Sequence, residues 1–179
     1  MQGQSALLDR LADAPKRFMT STKGLEMTEK ADFNADEWST IAEGPLLAGA
    51  RVIAADRGGT IRESLALGKV YAQARQKAGD SELLDQLVAA PPALDRERLQ
   101  GGDIASAAMD GLREAVRILR EKATPDELDA YRHFVLSAAE AAANAHKEGG
   151  VLGVGGKRVS DSEQAALDEI AATLEAEAS

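Results

Sequence analysis

The sequence predicts an all-α fold: a compact bundle of about seven to eight helices around a central apolar helix near 45–57, with no sheet. Three observations predict it. Close to half of the apolar residues are Ala, the best helix former and a poor strand former. Helix-start signals are dense, and Gly and Pro stand where helices should stop. No stretch alternates β-branched residues in the manner of a strand.

Four segments carry the capping-box pattern, in which an N-cap side chain and the residue three positions on satisfy each other's backbone N–H. They are Asn34-Ala35-Asp36-Glu37, Thr60-Ile61-Arg62-Glu63, Thr124-Pro125-Asp126-Glu127 and Ser160-Asp161-Ser162-Glu163. Pro125 sits at a first helical position, where a missing N–H costs nothing. Helices are therefore expected at about 4–14, 35–43, 45–57, 60–78, 81–90, 103–122, 125–148 and 161–177. Pro15, Pro45, Pro91-Pro92 and Pro125 punctuate them, as do Gly58-Gly59, Gly79, Gly101-Gly102 and Gly149-Gly150.

The longer helices have an assignable inner face. At 103–122 it is Ala105, Ala108, Met109, Leu112, Ala115, Val116 and Leu119, with Asp110, Arg113, Arg117, Arg120 and Glu121 opposite. At 125–148 it is Leu128, Tyr131, Phe134, Val135, Ala138, Ala142 and Ala145; His133 falls on the wet side. The last helix offers Ala165, Ala166, Leu167, Ile170, Ala171 and Leu174. The segment at 45–57 is apolar nearly all round, which places it at the centre of the bundle or in a subunit interface. Residues 1–179 read as one helical domain, with 1–33 peripheral and weakly anchored by Phe18, Met19, Leu25 and Met27.

Composition narrows the function. The 179 residues carry a net charge of -9 and no cysteine. Disulfides, thiol nucleophiles and thiolate metal sites are thereby excluded. Acid excess and few aromatics argue against nucleic acid, whose phosphates need Lys and Arg and whose bases need stacking partners. Six of the nine net charges lie in 159–179, which holds Asp161, Glu163, Asp168, Glu169, Glu175 and Glu177 and no Lys or Arg. Met1 to Arg10 has no basic region leading into a long apolar run, and no stretch approaches the ~20 apolar residues that cross a bilayer. The expectation is a cytoplasmic protein that binds neither membrane nor nucleic acid.

Four places could carry chemistry. Gly149 to Arg158 is glycine-rich and runs into a capped helix start, where free N–H groups and the helix dipole favour an anion. Gly153, Gly155, Gly156, Lys157, Arg158 and Ser160 are the candidate anion-binding residues. It is not a phosphate-binding P-loop: Val151 stands where Gly is required, and Arg158 replaces the magnesium-holding Ser or Thr. The plain alternative is a loop that packs its Val and Leu side chains.

Asp32, Asn34, Asp36 and Glu43 match positions 1, 3, 5 and 12 of a calcium loop. Position 6 is Glu37 instead of Gly, and Asn34 with Glu37 explain themselves as a helix cap, so capping is favoured over metal. His133 and His146 do not share a face and make a poor ligand set. Arg51, inside the apolar segment at 45–57, must find a partner, either in a structural ion pair or as an anion-binding group in a cleft. Serine catalysis has no foothold, since the sequence lacks a G-x-S-x-G elbow.

The segment Lys147-Glu148-Gly149-Gly150-Val151-Leu152-Gly153-Val154-Gly155-Gly156, followed by Val159-Ser160 and Glu163, resembles one in a set of bacterial helical proteins with no assigned function. The likeness extends through Trp38 and Pro45-Leu46-Leu47, about three-quarters of the chain. It implies a bacterial source and an all-helical fold, with no reaction attached. Val159, Ser160 and Glu163 after glycine are also similar to the entry into a late helix of the tellurite-resistance TerB-like domains; no metal contact carries over.

The favoured function is a non-enzymatic binding or scaffold protein, a homodimer with no cofactor. The dimer follows from the excess of Ala and Leu surface, for which two-fold symmetry is the commonest solution. Alternatives are an anion or small-molecule site at 149–158, either binding alone or enzymatic, and calcium at 32–43.

Overall fold

The computed structural model describes residues 27–55, 62–76, 79, 81–92, 104–145 and 159–176. Among them are six α-helices and no strand, so the all-α class holds. The helices are α1 (Ala35–Ala55), α2 (Arg62–Gln76), α3 (Glu82–Ala89), α4 (Ile104–Lys122), α5 (Pro125–Ala145) and α6 (Asp161–Ala176), preceded by a 3-10 turn at Lys30–Asp32. The helix expected at 4–14 lies outside the described residues. No helix among them is long and apolar enough to cross a membrane.

One boundary departs from the sequence expectation. The helices expected at 35–43 and 45–57 are a single helix, α1, with Pro45 buried inside it. Proline has no N–H to give the carbonyl of Ile41, four residues back, and should break the helix there. The Tyr131 hydroxyl from α5 donates to that carbonyl instead, at 2.9 Å. Gly44 makes this possible, because a Cβ on Gly44 would fall on the Tyr131 hydroxyl oxygen. The helix therefore continues through its proline with its freed acceptor satisfied from another element.

The caps follow the sequence closely. Asn34 accepts from the Glu37 N–H at 2.9 Å while the Asn34 N–H donates to the Glu37 carboxylate at 2.8 Å. Thr124 with Glu127 and Ser160 with Glu163 form the same reciprocal boxes. The Thr60 box lies outside the described residues. Ser81 caps α3 through the Leu84 N–H.

Packing gives two clusters. The larger joins α1, α3, α4, α5 and α6 around Ile41, Val52, Leu112, Leu119, Tyr131 and Ile170. Here α1 lies against α4, α5 and α6. The smaller joins Val70 and Tyr71 of α2, Val88 of α3, and Phe134 and Ala138 of α5. On α6 the expected inner face holds at Ala166, Ile170 and Leu174, with Leu167 packed on the core; Ala165 is exposed, and Glu163 is buried through its cap.

The described part of 1–33 is firmly held. Thr28 and Phe33 are buried. The Thr28 N–H and hydroxyl both donate to the Glu127 carboxylate at 2.7 Å, tying the segment to the start of α5. Lys122 adds a second tie, donating to the Asp32 carbonyl at 3.1 Å and the Glu37 carboxylate at 2.6 Å. That ammonium holds the Glu37 carboxyl below the usual carboxylate range.

Candidate functional site

A cleft of about 280 Å³ opens between α1 and α2. Its α1 wall is Leu46, Ala50 and Ile53, spaced four and three residues apart so that one helical face presents all three. The α2 wall is Leu67, Gly68 and Tyr71, with Arg75 one turn beyond Tyr71. Pro91 and Pro92, after α3, complete it. The two prolines bring apolar rings and no N–H donors.

Gly68 marks this cleft. Ala is about 1 kcal/mol better than Gly inside a helix, so an interior glycine needs a reason. For three other glycines the reason is contact: a Cβ would meet Tyr131 at Gly44, Leu67 at Gly49 and Leu47 at Gly111. At Gly68 a Cβ would meet nothing within 4 Å. The missing side chain leaves that part of the cleft open.

Two polar groups belong to the cleft. Tyr71 is 3 % exposed and stacks edge-on against Phe134, with ring centroids 5.1 Å apart. Its hydroxyl is buried and has no hydrogen-bond partner among the described residues. Burial pushes the phenol up to about 12, so it stays a neutral donor. Arg75 is exposed, and its Nε donates to the Tyr71 carbonyl at 3.3 Å. It forms no ion pair among the described residues, which leaves the outer guanidinium edge open.

The residues singled out from sequence lie elsewhere. Gly153, Gly155, Gly156, Lys157 and Arg158 are outside the described residues. Ser160 is inside them, and its hydroxyl accepts from the Glu163 N–H at 3.2 Å as a helix cap. Arg51 reaches α6, donating from Nε and Nη2 to the Glu169 carboxylate at 3.0 and 2.6 Å. The calcium spacing at 32–43 takes another geometry. From Ala35 onward it is helix, and a straight helix holds the position 5 and 12 residues, Asp36 and Glu43, about 10 Å apart along its axis and cannot curl them around one ion. Asn34 is spent on the cap and Glu43 accepts from Ser39, while no group of three metal-ligating side chains gathers among the described residues.

A wider groove lies beside Trp38, but its polar groups are engaged: Lys30 sits over the Trp38 ring and its N–H donates to Gln86. Arg132 is the other unsatisfied group. Its Nη1 donates to Asp129 at 2.8 Å, while Nε and Nη2 are buried without a partner among the described residues. It lines neither of the two clefts described above.

The sequence offered one usable signal for the cleft, Gly68 in the middle of a helix. Comparison with protein-family models, with curated proteins and with solved structures finds no match. The site stands on its own geometry.

Proposed function

We propose that this chain is a non-enzymatic binding protein and that its ligand is a small, mainly apolar molecule held between α1 and α2. The observation that carries this is the apolar cleft itself, at whose wall stands Gly68, an exposed helix glycine where a Cβ would meet nothing within 4 Å among the described residues. The cleft is near the lower end of the usual size for small-molecule sites, roughly 300 Å³ and upward. Its two polar groups suit binding better than proton transfer. The Tyr71 phenol is pushed up to about 12, and a guanidinium offers donors and no acceptor.

The proposal includes a central place for residues 45–57. What supports it is that their described part serves both clusters: Ala48 and Val52 lie in the larger, and Leu46 packs on the smaller.

1-Octanol is a suitable probe. At ten times its dissociation constant it should raise the melting temperature by about 4 °C. Gly68→Leu should fill the cleft and abolish that rise, while its ligand-free protein melts no lower than the parent. A parent protein that does not respond, or a Gly68→Leu protein that still does, sinks the proposal.

A further inference from the structure

The geometry points to an apolar monocarboxylate as the ligand of this cleft, its chain lying over Gly68 and its carboxylate paired with Arg75. This rests on the cleft being a binding site and adds the chemical class of what enters it.

Among the described residues, Arg75 is the only charged one lining the cleft; the other described walls are aliphatic, aromatic or glycine. A ligand that satisfies both parts needs an apolar body and one negative end. The Nε bond to the Tyr71 carbonyl, one turn back on the same helix, holds the guanidinium at the rim. Two N–H groups on its outer edge then match the two oxygens of a carboxylate side by side. A phosphate monoester, with nearly twice the charge at neutral pH, would ask for more cations than one Arg supplies. A neutral alcohol would leave that Arg unused.

Tyr71 forms part of the wall, and its phenol, which burial keeps neutral, does not repel an anion. A cleft of about 280 Å³ suits a body of roughly ten heavy atoms, at the small end of ligand sites. The chain as a whole carries a net charge of -9, so an anion gains nothing from the overall field. Any preference for a carboxylate has to come from Arg75 itself.

Octanoate and 1-octanol share the same apolar body and differ at the head, so calorimetric titration of both tests the assignment. Octanoate should bind about tenfold tighter than octanol, the scale of one charge-assisted hydrogen-bonded pair. Arg75→Gln should remove that advantage, weakening octanoate about tenfold and octanol less than twofold. Lys69→Gln removes the same charge from an exposed position on α2 outside the cleft and should leave both affinities unchanged.

If octanol binds as well as octanoate, or if Arg75→Gln leaves their ratio unchanged, the carboxylate assignment is overturned and the apolar cleft stands. If Lys69→Gln matches Arg75→Gln, the effect is general electrostatics and the assignment is likewise overturned. If neither probe binds, or Gly68→Leu leaves both unaffected, the cleft itself is not a ligand site. A twofold mass in sedimentation equilibrium that Gly68→Leu reduces to the monomer would make a second copy the occupant, and would overturn both.

Discussion

The two tyrosines of this chain are both buried and meet opposite fates. Tyr131 lies in the larger cluster, and its hydroxyl donates to the Ile41 carbonyl that Pro45 leaves free. Tyr71 lies in the smaller cluster, and its hydroxyl has no partner among the described residues. Glycines follow the same division: Gly44 is filled by Tyr131, and Gly68 faces open space. A buried polar group without a partner is expensive, as is an unexplained glycine in a helix. Both occur at one wall of the cleft between α1 and α2. The difference between the clusters is that the first closes on its own atoms and the second does not.

The largest effect should come from Gly44→Ala. Its methyl would occupy the space of the Tyr131 hydroxyl, so either the ring leaves its bond to Ile41 or α1 moves away from α5. Overpacking and a lost buried hydrogen bond together should cost about 4 kcal/mol, read by urea unfolding. A loss under about 1 kcal/mol would show that this contact yields easily and that the first cluster is not closed in the sense argued.

Next is Glu127, the counterpart of Tyr71 among buried polar groups. It is 5 % exposed and accepts four hydrogen bonds, from the N–H and hydroxyl of Thr28 and of Thr124. Burial alone would raise its carboxyl; those bonds from the two threonines outweigh it, and the folded value is lowered. A lowered carboxyl contributes stability that is present above the ordinary carboxylate range and lost as pH falls through the folded value. Glu127→Gln turns one acceptor into an NH₂ facing donors, and should cost about 3 kcal/mol at pH 7. That gap should narrow in unfolding curves taken below the carboxylate range. A gap that holds constant with pH would mean the charge of Glu127 contributes nothing.

Much of the fold was legible because helix chemistry is local. Asn34, Thr124 and Ser160 each find their partner three residues on, so the caps could be read directly from the chain. The inner faces of α4 and α5 were legible for the same reason. Pro45 misled because the carbonyl it leaves free, on Ile41, is satisfied by Tyr131, 90 residues beyond Ile41 in sequence. Glu169 as the partner of Arg51 was equally remote: the sequence required an acid without saying which. The cleft was legible only as an oddity at Gly68, since its meaning depends on what does not face it. Tyr71 and Arg75 carried no signal at all; one becomes notable through a missing partner, the other through its place at the rim.

The comparison is sharpest when both tyrosines lose only their hydroxyls. Tyr131→Phe keeps the ring and removes the donor to Ile41, leaving a buried carbonyl that the helix cannot satisfy, because Pro45 has no N–H. That should cost about 2 kcal/mol. Tyr71→Phe removes a hydroxyl that has no bond to lose, together with the burden of burying it. In the ligand-free protein it should be neutral or stabilising, within about 1 kcal/mol. Equal losses in both variants would mean that Tyr71 has found a partner in solution, and the contrast between the two clusters would fall.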